Sequence, residues 1–515
     1  MTDRTHALVR RACTILLAGL VALPAAASGA GLQERDGRRA APNERRAKDV
    51  GLDFENVTTS SGLYQETRTW GTSWTDYDLD GDPDVFIGRH WRVPRMFVNQ
   101  SQNFTRLRRQ SDFRTKRVDR HLCAWGEANQ DGIPDLYCSQ GADKGKGSGP
   151  NQLFIGDGNG NLIDRAPRFG VTDELGRGRT TNWLDFDSDG DLDLFVGNTI
   201  RSGVPNVMFR HVGEGFIRAS VGVGDEVETV SSSWSDWDRD GDPDLLLLQH
   251  FPFRPIVYRN DDGSFRKVRI APISRDAWGA GTWGDFDGDG WTDLHLMNKK
   301  RSLILRNARG TFKPVSRMRL AQGRMSSWFD ADNDGDLDLF VVQGARGNFA
   351  SPDAINRPDF LILREDGGFT KVTGRSLRGP RTGNGEAVST ADIDRDGLVD
   401  VLVTNGLHHW SGPNHLLKNV SSAANWVGVD LIGHDANPLG YGARVLVGAG
   451  NLVYWREVTD NASSRAQSEV GYVHLGIGSA ATATINVMWP DGTVDCVSIP
   501  AGTVMRVQQE TLPCA

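Results

Sequence analysis

The chain has 515 residues, 38% hydrophobic and 8% aromatic, with 60 Gly against 21 Pro. This supplies apolar material for more than one folded unit, and the turn formers exclude long helical architecture or a collagen-like repeat. The formal charge of −8 is unevenly spread: seven nine-residue segments hold 31 of the 66 acidic residues, and no Lys/Arg cluster is dense enough to propose nucleic-acid binding.

Residues 1–27 read as an export signal, with Arg4, Arg10 and Arg11, an apolar run over 15–23, and Ala25-Ala26-Ala27 as the cleavage site. The run is too short to span a bilayer, and no later stretch approaches ~20 uninterrupted apolar residues. The mature chain is therefore expected in the periplasm, at the cell surface or outside the cell, without a transmembrane segment. Residues 28–50 lack apolar periodicity and are expected to form a flexible leader.

Four cysteines remain beyond the signal, and an even number in an exported chain favours disulfides. The expected bridges are Cys123 to Cys138, which face each other across one hairpin, and Cys496 to Cys514.

From residue 51 to 420 one pattern, D-x-D-x-D-G-x-x-D, organises the chain. It reads DYDLDGDPD from Asp76, EANQDGIPD from Glu127, DFDSDGDLD from Asp185, DWDRDGDPD from Asp236, DFDGDGWTD from Asp285, DADNDGDLD from Asp330 and DIDRDGLVD from Asp392. The starts are separated by 51, 58, 51, 49, 45 and 62 residues, about one small sheet per repeat.

Carboxylates at positions 1, 3, 5 and 9 can converge on a hard cation because Gly at position 6 permits a sharp turn, and position 7 adds its carbonyl. An all-oxygen set suits Ca²⁺, whereas Zn²⁺ prefers His or Cys. The candidate ligands, up to seven Ca²⁺ in all, are these. Loop one has Asp76, Asp78, Asp80, Asp82 and Asp84; loop two has Glu127, Asn129, Asp131, Ile133 and Asp135. Loop three has Asp185, Asp187, Asp189, Asp191 and Asp193; loop four has Asp236, Asp238, Asp240, Asp242 and Asp244. Loop five has Asp285, Asp287, Asp289, Trp291 and Asp293; loop six has Asp330, Asp332, Asp334, Asp336 and Asp338. Loop seven has Asp392, Asp394, Asp396, Leu398 and Asp400. Loop two carries the least ligand charge and is expected to be the weakest site.

An EF-hand needs a bidentate Glu at position 12, but here that position is apolar in every copy: Ile87, Cys138, Val196, Leu247, Leu296, Val341 and Val403. Position 9 leads instead into buried strand-like runs, so each loop joins two strands. Trp74, Trp125, Trp183, Trp234, Trp283 and Trp328 each precede position 1 by two residues, with Thr390 in the last copy, and read as wedges between sheets. Further segments such as IVYRNDDGSFRKV from Ile256 supply a third and fourth strand. The expected fold is all-β: a seven-bladed β-propeller over 51–420, with Phe54 to Val57 completing the last blade, then a small all-β domain over 425–515.

The loops resemble the FG-GAP/VCBS repeats of integrin α-chain propellers and of secreted bacterial proteins. GARVLV from Gly442, REV from Arg456, HLGIG from His474 and WPDG from Trp489 resemble the ASPIC/UnbV domain, and the combination is similar to the cartilage acidic protein family. The stretch Asn461-Ala462-Ser463-Ser464-Arg465-Ala466-Gln467 departs from that domain's usual Gly- and Tyr-rich run.

The expected function is a non-catalytic scaffold, monomeric, that recognises an extracellular or envelope protein or glycan. The alternative is a polysaccharide lyase or hydrolase whose catalytic acids are masked by the loop acids. No nucleophile elbow, His-Glu-x-x-His site or Walker loop is present. Connections on the face away from the loops hold candidate recognition residues: Arg89-His90-Trp91-Arg92, His250-Phe251-Pro252-Phe253, His408-His409-Trp410 and residues 343–358.

Overall fold

The computed structural model describes residues 43–514 apart from 108–117, 142–146, 200–202, 226, 250–251, 275, 320–322, 347–354, 366–367, 380–382, 407–410, 435–436, 461–465 and 470. The export signal, the leader up to residue 42, His250, Phe251, His408, His409 and Trp410 lie outside the described residues.

The chain is all-β. Each acidic loop joins the first two strands of a sheet built on four antiparallel strands; seven such sheets occur among the described residues, and the first and sixth each gain a fifth, parallel strand. In the third, Gly178–Leu184 pairs with Asp193–Asn198, which pairs with Val207–Val212 and then Gly215–Ala219. Apolar runs fill the second strands: Asp193–Asn198 and Asp244–Gln249 are buried throughout, because neighbouring sheets cover both of their faces.

The first strands are Thr69–Thr75, Arg120–Gly126, Gly178–Leu184, Thr229–Ser235, Ala280–Gly284, Gly323–Phe329 and Gly385–Ala391. Each lies beside the first strand of the next sheet, and Gly385–Ala391 lies beside Thr69–Thr75. The tryptophans seal these seams. Trp183 Nε1 donates to the Ala124 carbonyl at 3.0 Å and Trp328 Nε1 to that of Thr282 at 3.3 Å, each reaching the preceding sheet. Trp74 Nε1 donates to Ser389 Oγ at 2.8 Å, tying the first sheet to the seventh.

The seventh sheet draws one strand from the other end of the chain: Phe54–Asn56 pairs antiparallel with His415–Asn419. The expectation of a flexible leader through residue 50 needs correction. Asn43–Arg46 pairs in parallel with Gly368–Thr373 at the outer edge of the sixth sheet, and Ala47–Val50 forms a 3₁₀ turn that buries Ala47. Backbone pairing at a free sheet edge needs no apolar periodicity, so composition alone does not reveal it.

The C-terminal part has two sheets. Asn425–Ile432 lies between Tyr472–Gly478 and Thr503–Gln508, the latter parallel to it. The second runs Leu452–Glu457, Arg444–Ala449, Thr482–Met488, Val494–Pro500. Val429, Val445, Val447, Ile485 and Trp489 form a buried core between them. Both disulfides are present. Cys123 and Cys138 are directly opposed in register with Cα atoms 4.1 Å apart, and Cys496 and Cys514 are 5.0 Å apart.

Candidate metal loops and the tail that meets them

The seven loops share one conformation. Position 4 has positive φ in every copy: Leu79, Gln130, Ser188, Arg239, Gly288, Asn333 and Arg395 lie between 54° and 69°. The glycine at position 6 is also left-handed, at 97° in Gly81 and 95° in Gly190. This double turn aims backbone N–H groups inward. In loops one, three, four and seven the position-1 carboxylate accepts from positions 5 and 6, as Asp185 does from Asp189 at 3.1 Å and Gly190 at 3.0 Å; in loops five and six it accepts from position 6. The position-5 carboxylate accepts from the position-7 N–H in all seven, including Ile133, Trp291 and Leu398.

Position 9 is a structural tie as well as a candidate ligand. Outside loop four, where Asp244 accepts only from Asn260, its two oxygens accept N–H groups from position 2 and from the third strand or the residue after it, as Asp84 does from Tyr77 and Asn99, Asp193 from Phe186 and His211, and Asp400 from Ile393 and Asn419. These aspartates are fully buried, and desolvation, with repulsion from positions 1 and 3, pushes Asp84 and Asp193 up to about 9.

Position 3 combines a basic partner with an unpartnered oxygen. One oxygen of Asp187 meets Arg210 Nε at 2.7 Å, one of Asp238 meets Arg259 at 2.9 Å, and one of Asp287 meets Arg306 at 2.5 Å; Asp394 pairs with Lys418. The other oxygen, Oδ1, is buried without a hydrogen-bond partner in Asp78, Asp187, Asp238, Asp287, Asp332 and Asp394. Positions 1, 3 and 9 place carboxylate oxygens within 4.8 Å of one another in loops one, three and four. A residue with a buried, unpartnered carboxylate oxygen, clustered with two further carboxylates, is an arrangement a hard divalent cation would satisfy. Loop two differs: Asn129 Nδ2 donates to Asp131 at 2.8 Å, and Glu127 takes the N–H groups of Asn129, Gln130 and Gly132.

The basic partners on the third strand were not identified as site residues from sequence, although the signal is there: Arg210-His211, Arg259-Asn260, Arg306-Asn307 and Lys418-Asn419 recur at one place in the repeat. On the far face, His90 is buried and meets Asp119 at 2.6 Å, so it is not the exposed recognition residue expected; Phe253 is 52% exposed.

The C-terminal part sits on the loop side. Arg444, Arg456 and His474 donate to the position-6 carbonyls Gly290, Gly335 and Gly397 at 2.8, 2.8 and 3.0 Å. Side chains from the same part take up backbone N–H groups at the ends of first strands. Glu457 accepts from Asp236, Asp460 from Trp183, Gln467 from Trp125 and Ser468 from Thr390. Ala466–Gln467 pairs in parallel with Thr72 and Ser73.

Five overlapping windows, 128–196, 185–247, 236–296, 285–341 and 330–403, match the FG-GAP-like repeat, and 433–511 match the ASPIC and UnbV domain. The chain belongs to the FG-GAP-like repeat family. This FG-GAP protein is 28% identical over 318 residues to mouse cartilage acidic protein 1 and 27% identical to the human protein. The match covers 56% of the FG-GAP chain and 41% and 40% of those relatives, so the chain spans well under half of their length. Among solved structures, an Agrocybe aegerita lectin that recognises non-reducing terminal N-acetylglucosamine aligns with TM-score 0.43 and 16% identity, over 65% of this chain and 87% of the lectin. The extracellular domain of a putative one-component system from B. thetaiotaomicron aligns with TM-score 0.41 and 9% identity, over 88% of this chain and 59% of that one. Among the described residues no helix is long and apolar enough to cross a membrane.

Proposed function

We propose that the seven sheets are the blades of a closed, integrin α-like β-propeller that binds Ca²⁺ in its loops, works outside the cytoplasm and recognises an extracellular or envelope protein or glycan without catalysing a reaction. The observation that carries this reading is the unpartnered buried oxygen at position 3, which recurs in six of the seven loops. A carboxylate left in that state costs free energy in each of those six loops, and a bound cation would relieve it. Positions 1, 3, 5 and 9 would supply carboxylates and position 7 its carbonyl; the ion would neutralise the loop while the third-strand Arg or Lys holds the outer oxygens. Two disulfides fit an oxidising compartment.

Equilibrium dialysis of the purified chain against calcium, with melting followed in millimolar calcium and in chelator, tests the reading. Several bound ions per chain and a higher melting temperature with calcium are expected. No binding and no shift would remove the reading, and release of oligosaccharides from an incubated polysaccharide would remove its non-catalytic part.

A further inference from the structure

Arg89, Arg95 and Arg106 lie on three successive strands of the first sheet. Ile87 is paired with Arg95, and Phe97 with Arg106. Paired residues share a face and side chains alternate along a strand, so Arg89 shares its face with Ile87 and Arg95, and Arg95 with Phe97 and Arg106. Ile87 and Phe97 are buried in the core shared with the seventh sheet, and the three arginines extend that face. Arg92 joins them from the turn after Arg89, next to Trp91.

Arg89 is fixed in place: Nε donates to Thr67 Oγ1 at 2.9 Å and Nη1 to the Val93 carbonyl at 3.1 Å. Burial, and then the repulsion of Arg95, Arg92 and Arg106, lower its pKa to about 10. Among the described residues no carboxylate forms an ion pair with any of the four. The acid at this end of the neighbouring sheet, Asp119, is engaged by His90 and His121. The contrast with the loop side is direct, since Arg210 and Arg306 each hold two aspartates there and Arg259 three. Trp91 is half-buried, packs edge-on to His90 with centroids 5.8 Å apart, and holds a backbone φ of 58° that bulky residues rarely adopt.

We propose that Arg89, Arg92, Arg95 and Arg106, with Trp91, form a binding site for an anionic polysaccharide. Four guanidiniums gathered with no ion-paired carboxylate among the described residues are costly to the fold and are relieved by a ligand carrying sulfates or carboxylates, which guanidinium binds in a two-pronged geometry. The register places the three on a diagonal, each step crossing one strand (~4.8 Å) and moving two residues along it (~6.6 Å), so the backbone positions span about 16 Å, a track suited to charges repeated along a sugar chain. The indole at its end offers an apolar face to a sugar ring. This inference rests on the reading of the protein as a recognition scaffold and names the ligand class of that scaffold.

The test uses the full exported chain in millimolar calcium, passed over immobilised heparin, polygalacturonate, neutral dextran and polyglutamate. Retention on heparin or polygalacturonate but not dextran is expected; heparin alone would assign sulfate, and both would assign either anionic group. Arg92→Glu with Arg106→Glu, two exposed positions, should weaken binding about tenfold or more without lowering the melting temperature. Arg309→Glu with Lys313→Glu, exposed in the fifth repeat, should change it little. Equal losses in the two variants, no loss in the first, or stronger retention on polyglutamate would overturn the proposal. Repeating the melting in chelator separates the two readings: binding without any calcium effect keeps this site and removes the calcium loops.

Discussion

The side chain of Gln467 holds both backbone polar groups of Trp125: Oε1 accepts the Trp125 N–H at 2.8 Å, and Nε2 donates to its carbonyl at 3.1 Å and to Tyr441 Oη at 2.8 Å. A residue near the end of the chain thus does for the second sheet what a paired strand would do, while its own backbone pairs with the first sheet. Gln467→Ala leaves two buried groups of Trp125 with fewer partners and should cost about 1–3 kcal/mol. Denaturant unfolding measures the loss, and limited proteolysis should cut the C-terminal part from the variant faster than from the parent. An unchanged midpoint would show that this contact contributes nothing.

Positions 3 and 9 of a loop should respond differently to substitution. Asp193→Ala removes a backbone tie and should destabilise the protein with or without calcium, whereas Asp187→Ala should lose mainly the calcium-dependent part. At a hundredfold excess over Kd one filled site contributes about 2.7 kcal/mol. Asp135→Ala in loop two should lose less calcium-dependent stability than Asp193→Ala. Melting temperatures of the three variants in calcium and in chelator decide this ranking.

Burial pushes Asp460 up from 3.8 to about 7. Between those values the folded protein retains a proton that the unfolded chain has released. Its contribution to stability is therefore fully present below pH ~4 and is lost as pH rises through about 7. Unfolding free energy measured from pH 5 to 8 should carry this decline, and Asp460→Asn should flatten it. An identical slope in the variant would place the pH dependence elsewhere.

Reducing the bridge between Cys123 and Cys138, 15 residues apart, should cost about 3 kcal/mol of stability on chain-entropy grounds. Non-reducing peptide mapping should recover the two pairings, and denaturation with and without reductant should give the loss. Free thiols at both positions in exported protein would contradict the bridge.

Deleting residues 52–57 should expose the edge of His415–Asn419 and promote unfolding or association. Deleting residues 43–50 should produce a smaller loss, because Asn43–Arg46 covers an outer edge. Melting and light scattering distinguish these outcomes.

The sequence by itself determined the loops and the repeat. Asp and Gly at fixed offsets within nine residues act locally, so Asp76 to Asp84 carry the same meaning before and after folding. The pairing of Phe54–Asn56 with the seventh sheet was legible because that repeat lacked one strand in its own stretch. Only the tertiary structure decided the partners that lie far away in the chain. Gln467, Asp460 and Glu457 meet Trp125, Trp183 and Asp236 across hundreds of residues, and nothing in their local sequence encodes that choice. The same holds for His90, whose loop reads as exposed until Asp119 is packed against it. It holds for Asn43–Arg46 as well, whose pairing depends on a sheet edge being free rather than on its own side chains. Local backbone preference follows from the residues in one turn, whereas the satisfaction of buried polar groups depends on what the whole fold brings beside them.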